Sequence, residues 1–71
     1  MTLQHVIDYK GGHHYFQPSD ITDIYIQSPD DTEFYIVICK YRIIVMSGGL
    51  KEMKDFVEKS DKKLIKYCKN V

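Results

Sequence analysis

The densest run of apolar positions in the chain covers residues 33–47. It consists of two arms rich in β-branched and aromatic residues, separated by a short charged stretch at residues 40–42. This pattern predicts two antiparallel strands, at about residues 33–39 and 42–47, joined by a hairpin. The connection contains neither Gly nor Asn, so we expect a wider loop or a bulge there instead of a two-residue turn.

Alternation of apolar and polar positions predicts further strands before this hairpin. They fall at about residues 2–9, 13–17 and 21–28. Gly11 and Gly12 suit a two-residue type I′ turn between the first two strands, which would place Lys10 opposite His13. In the third strand we expect Thr22, Ile24 and Ile26 to share one face, with Ile24 and Ile26 as its inward residues.

The period of the pattern changes after Ser47. Apolar residues then recur every three or four positions, which predicts an amphipathic helix over about residues 49–69. The expected fold is therefore α+β, with residues 1–71 forming one domain. In it, a small antiparallel β-sheet of four to five strands, arranged as a meander, is followed by one C-terminal amphipathic helix packed on one face.

The single predicted helix can cover only one face of this sheet, yet both faces of the central hairpin are apolar. We expect the second face to carry a tyrosine-rich interface that comprises Tyr25, Tyr35, Val37, Ile44 and Met46. Tyrosines on an uncovered sheet face are typical of protein interfaces. The alternative is that the first hairpin folds over these residues and closes a small barrel.

Composition and length exclude several classes of protein. Apolar residues make up 44% of the chain, which excludes disorder. No apolar run approaches the roughly 20 residues that span a bilayer, and no secretory signal is visible, so we expect a cytoplasmic location without a membrane partner. Cys39 is expected to be a buried, reduced thiol inside a strand. A domain of 71 residues has a small hydrophobic core and therefore low stability, and small domains commonly gain stability by forming oligomers.

A second hypothesis is a nucleic-acid-associated regulator. The formal net charge is zero, but residues 50–71 hold seven lysines against four acidic residues, so the predicted helix is basic. The candidate phosphate contacts are Lys40, Arg42, Lys59, Lys62, Lys63 and Lys66. The helix lysines alternate with acidic residues, which is also typical of a solvated helix face.

A third hypothesis is a binder that sequesters a small ligand, such as a nucleotide, at a subunit interface. His13, His14 and Tyr15 are its candidate contacts. His13 and His14, with His5 on the paired strand, are the only cluster in the sequence with metal-ligand chemistry. Neighbouring strand residues point to opposite faces, so His13 and His14 cannot hold one ion, and we expect neither a metal nor a cofactor. Neither a nucleophile elbow nor a phosphate-binding loop is present in the sequence, which predicts that the protein is not an enzyme.

One family shares the order of these features: a strand, a Gly turn, an aromatic pair before Pro, an Ile-rich strand, a Pro-Asp turn, a hairpin, and Ser before an acidic helix. The matching positions are Gly12, Tyr15, Phe16, Pro18, Ile21, Ile24, Pro29, Asp30, Ile36, Val45, Ser47 and Glu52. In these the chain resembles the small flagellar FlbD/SwrD-type proteins and their phage and plasmid relatives of unknown role. It departs from them at Gln17, where the family has Asn, and at residues 40–42, where the family has a Gly-containing turn. The resemblance implies the fold and supplies no catalytic residues.

The leading prediction is a small, non-catalytic protein–protein interaction module. We expect it to form a homo-oligomer, a dimer or larger, and to regulate another protein. Its compactness, the absence of an identifiable catalytic motif and the absence of a targeting signal suit a phage- or virus-encoded inhibitor of a host system.

Overall fold

A computed structural model describes residues 3–60 of the chain. Its elements are β1 (Gln4–Ile7), β2 (His13–Phe16), a 3₁₀ turn (Pro18–Asp20), β3 (Ile21–Tyr25), β4 (Glu33–Ile38), β5 (Arg42–Ser47) and α1 (Leu50–Lys59). All strand pairs are antiparallel, which confirms the predicted α+β class. The predicted continuation of the helix to about residue 69 lies outside the described residues. Helix α1 is too short and too polar to cross a bilayer, and no other helix within residues 3–60 could do so.

The strands form two small sheets in place of one continuous meander. Strand β1 pairs with β2, and β3, β4 and β5 form the second sheet in that order. The break follows β2 at Pro18, which has no N–H for a strand ladder and begins the 3₁₀ turn. The first hairpin still touches the second sheet, because the backbone N–H of Tyr9 donates to the carbonyl oxygen of Val45 at 3.0 Å.

The hydrophobic core lies on one side of the three-stranded sheet. It comprises Val6, Phe16, Ile21, Ile24, Ile26, Phe34, Ile36, Ile38, Ile44, Met53 and Val57. The first hairpin contributes Val6 and Phe16 to this cluster, and the helix contributes Met53 and Val57. Hairpin and helix therefore cover the same face of the sheet. The first hairpin does not close over the second face, as the barrel alternative required.

A β-bulge at the start of β3 decides which of its residues face the core. The pairing register with β4 shifts after Ile21, so Ile21 is buried and Thr22 is exposed. The prediction that Thr22 lies on the same face as Ile24 is therefore wrong, whereas the prediction that Ile24 and Ile26 point inward is confirmed, since they are 2% and 0% exposed. The Thr22 hydroxyl donates to the carbonyl oxygen of Val37 at 3.2 Å and accepts from the N–H of Lys40 at 3.0 Å. These two bonds join β3 at the bulge to the end of β4 and to the turn that follows it.

The connection between β4 and β5 is a loop of three residues, 39–41, in agreement with the expectation of a wider turn. Cys39 and Lys40 both have positive φ values, 53° and 71°. The N–H of Tyr41 closes the turn by donating to the carbonyl oxygen of Ile38 at 3.1 Å. Cys39 is exposed at this turn, so the prediction of a buried strand thiol is wrong. Each non-glycine residue in this left-handed region costs about 1–2 kcal/mol.

Replacing this strained pair by Cys39→Asn with Lys40→Gly is expected to raise the free energy of unfolding by about 1 kcal/mol. Asn and Gly adopt positive φ readily, and this gain exceeds the extra entropy that glycine gives the unfolded chain. Urea denaturation measures the change. Lys40→Ala is the matched control, because alanine keeps the Cβ atom and should give no gain. An equal gain in the control would show that backbone strain is not the cause.

Candidate functional site

The face of the three-stranded sheet opposite the core carries a group of aromatic and aliphatic side chains. This tyrosine face comprises Tyr25, Tyr35, Val37, Ile43 and Val45. The strand register places Tyr35 between Tyr25 and Val45, and pairs Val37 with Ile43. Directly opposed residues of an antiparallel pair point to the same side, so the five side chains form one surface. Ile43 is 55% exposed, and the other four are half-buried by their neighbours.

Two residues of the predicted interface lie elsewhere. Ile44 pairs with Ile36 and is 1% exposed, and Met46 pairs with Phe34 and packs against the core. Their assignment to the tyrosine face was wrong. The error lies in the turn length, since one residue more or less in a hairpin loop moves every side chain of the following strand to the opposite face.

The two tyrosines give this face an ordered centre. Their rings stack with centroids 5.0 Å apart and planes 18° apart. Partial burial, and then the nearby carboxylate of Glu33, raise the pKa of the Tyr35 hydroxyl above its ordinary value. The hydroxyl therefore stays protonated at neutral pH and is available as a hydrogen-bond donor. The pair combines large apolar area with a polar group, a combination that is enriched at protein interfaces.

The basic residues of the nucleic-acid hypothesis do not form one patch within residues 3–60. Lys40 and Arg42 lie at the turn between β4 and β5. Lys59 lines a groove with Phe34 and Met46, which pair at the opposite end of the same hairpin. Three other candidates, Lys62, Lys63 and Lys66, lie outside the described residues. For Lys40, Arg42 and Lys59, the structure adds no support to a continuous phosphate-binding surface.

The turn between β1 and β2 is longer than predicted. Strand pairing ends at Ile7 and His13, which leaves a loop of residues 8–12 and corrects the predicted Gly11–Gly12 turn. The cause is the side chain of Asp8, whose Oδ1 accepts from the N–H of Lys10 at 2.9 Å and from the N–H of Gly12 at 2.8 Å. Asp commonly stabilises a loop through such local bonds.

A polar network joins this loop to β5. The His14 ring bonds through Nε2 to Oδ2 of Asp8 at 2.7 Å, and Arg42 Nη2 donates to His14 Nδ1 at 2.7 Å. A guanidinium cannot accept, so Nδ1 is the acceptor and Nε2 carries the proton that is donated to Asp8. This bond is the main reason that the pKa of Asp8 is lowered, and the bond from the N–H of Gly12 is the second. His14 therefore holds the hairpin in place and is not positioned for a ligand with His13.

A second group of rings lies on the outer face of the first hairpin. His5 Nε2 lies 2.8 Å from His13 Nδ1, and the His5 ring stacks on Tyr15 with centroids 4.5 Å apart. All three side chains are exposed. The sequence places His5 on the strand paired with His13, but the predicted Gly11–Gly12 register did not make the two residues neighbours, so their direct contact is a finding of the structure. Within residues 3–60, no group of three or more His, Cys, Asp or Glu side chains is arranged to hold a metal ion.

Comparisons with known proteins provide no further information on this site. The resemblance to the FlbD/SwrD-type proteins stays a prediction from the order of turns and strands. Comparison of the chain with models of protein families, with curated proteins and with solved structures finds no match.

Proposed function

We propose that the protein is a non-catalytic interaction module that self-associates through the tyrosine face. The observation that carries the proposal is the contrast between the two sides of the sheet. The eleven buried core residues under the hairpin and the helix are 0–7% exposed, whereas Ile43 on the tyrosine face is 55% exposed. A contiguous apolar surface on a small protein is typical of a protein interaction site.

The charge distribution favours a second copy as the partner. The formal net charge is zero, so two copies do not repel each other at long range. The centre of the face is uncharged, while Glu33 begins β4 and Lys40 follows its far end. A two-fold axis in the interface plane, at right angles to the strands, would bring the Glu33 end of one copy over the Lys40 end of the other. Such a self-complementary arrangement is the usual form of a protein dimer.

The stacked pair of Tyr25 and Tyr35 would supply the anchor of this interface. Tyrosine is among the residues that most often dominate binding energy, because its ring is large and loses little conformational freedom. Asp23 lies beside Val37 on the same face, and its Oδ1 accepts from the N–H of Ile24 at 2.9 Å. This carboxylate would lie at the rim of the interface, where charged groups cost little.

The test is the solution mass by light scattering over a concentration series, on the wild type, Ile43→Asp and Ile7→Asp. The two isoleucines are matched, since both lie in strands and are 55% and 49% exposed, but Ile7 is on the first hairpin. The wild type and Ile7→Asp are expected to be dimers of the 8.4 kDa chain, and Ile43→Asp a folded monomer.

Circular dichroism of each variant separates dissociation from unfolding. A monomeric wild type would overturn the proposal, and so would a dimeric Ile43→Asp. Equal dissociation by both variants would also count against it, because it would show a general effect of added charge instead of loss of one interface.

A further inference from the structure

We infer that His5 and His13 form a two-ligand site for a divalent transition-metal ion of the zinc, nickel and copper class. The inference does not depend on the tyrosine face, which lies on the other sheet. His5 is paired with Tyr15 across the first hairpin, so His13 is its diagonal neighbour on the same face. Diagonal neighbours on a sheet are within reach of each other when their side chains are long or aromatic.

The two rings present ring nitrogens to each other. His5 Nε2 and His13 Nδ1 are 2.8 Å apart, and the ring planes differ by only 10°. This separation is shorter than the van der Waals contact of stacked rings, so the rings meet edge to edge through these nitrogens. In the hydrogen bond one nitrogen carries the proton and the other offers its lone pair. If the donor ring changes tautomer, its proton moves to its other nitrogen. Both facing nitrogens then offer a lone pair, and both rings remain neutral.

A metal ion would replace the shared proton after a movement of the two rings. Metal–nitrogen bonds of 2.0–2.1 Å at a tetrahedral angle place two imidazole nitrogens roughly 3.3 Å apart, so the pair must open by about 0.5 Å from its 2.8 Å separation, and each ring must turn by roughly 35° to direct its lone pair at the ion. Both side chains are exposed on a hairpin face, and the core need not move. Tyr15 stacks on the His5 ring at 4.5 Å and restrains its orientation.

The ligand type sets the class of ion. Neutral imidazoles suit zinc, copper and nickel, whereas calcium and magnesium require oxygen ligands. His14 does not contribute, since both of its nitrogens are bonded to Asp8 and Arg42. No third His, Cys, Asp or Glu side chain among residues 3–60 is arranged to complete the site, so water would fill the remaining positions with respect to this part of the chain. We expect reversible binding of one ion for each chain.

The test is calorimetric titration of Zn²⁺ into the full chain, followed by the same titration on His5→Gln and His13→Gln. Each substitution removes one of the two ligands, and each is expected to weaken Zn²⁺ binding at least tenfold. Tyr15→Phe keeps the stacked ring and should bind as the wild type does. A Cys39→Ser/Cys68→Ser variant should also retain binding, which distinguishes the histidine pair from the thiols. Mg²⁺ should not bind.

Absence of Zn²⁺ binding by the wild type would overturn the inference. It would also fail if both histidine variants bound Zn²⁺ as the wild type does, or if only the cysteine variant lost binding. Circular dichroism confirms that the variants are folded, which we expect because both histidines are exposed. The solution mass of each histidine variant keeps the two proposals apart, because a variant that loses Zn²⁺ binding should still be a dimer if the tyrosine face is the interface.

Discussion

The substitution Ile44→Asp is expected to prevent folding, whereas Ile43→Asp leaves the fold intact. Ile44 is 1% exposed and faces Ile36 in the core, where an unpaired carboxylate costs several kcal/mol. A small domain has a total stability of only about 5–15 kcal/mol, so a loss of this size is decisive. Ile43 is 55% exposed, and its replacement puts the charge in water. Circular dichroism and urea denaturation of the two variants measure the difference.

Ile44→Val is the control for this pair of variants. It removes one methyl group without introducing a charge, and should lower the free energy of unfolding by about 0.5–1.5 kcal/mol. The opposite pattern, with Ile44→Asp folded but dissociated and Ile43→Asp unfolded, would restore the assignment made from sequence alone. The comparison therefore tests which face of β5 is buried, before any question about a partner.

The strands and the helix were predictable because apolar positions recur in each with a clear spacing, every second residue in the strands and every three or four in the helix. Alternation located β4 and β5, and in the structure Phe34, Ile36 and Ile38, which alternate along β4, are all core residues. Alternation could not show which face of β5 lies on the same side of the sheet as Phe34, Ile36 and Ile38 of β4. That relation depends on the turn, where Cys39 and Lys40 adopt positive φ without the Asn or Gly that normally signals it. Of the five residues predicted to form an interface, three therefore lie on the tyrosine face and two, Ile44 and Met46, on the core side.

The first hairpin shows the same limitation from a different cause. The Gly11–Gly12 pair is a strong signal for a two-residue turn, but the carboxylate of Asp8 holds a five-residue loop by accepting from backbone N–H groups. An Asp two and four residues before its backbone donors was the available sign of this loop. The length of this loop sets the pairing register of β1 and β2, and that register makes His5 and His13 diagonal neighbours. The sequence indicates that the two histidines lie on paired strands, but not that they are in contact.

The substitution Gly48→Ala, at the junction between β5 and the helix, is expected to lower the free energy of unfolding substantially. Gly48 has φ +143°, and an added Cβ atom would lie 2.7 Å from Cβ of Glu52. That atom is fixed to the helix backbone and cannot rotate away. The Glu52 carboxylate accepts from the N–H of Gly49 at 2.8 Å, a bond that lowers the pKa of Glu52 and holds the first turn of the helix. Backbone strain and displacement of the helix should together cost roughly 2–3 kcal/mol.

Gly11→Ala is the matched control for this prediction. Gly11 also has a positive φ, +88°, but an added Cβ atom there meets nothing within 4 Å. Its replacement should cost only the backbone term, about 1 kcal/mol, in urea denaturation. Equal losses at the two glycines would mean that the helix shifts freely at its start. A larger loss at Gly48 would mean that the clash with Glu52 is not relieved, which we expect because the N–H of Gly48 is bonded to the carbonyl oxygen of Thr32 at 2.8 Å and restrains the backbone at the helix start.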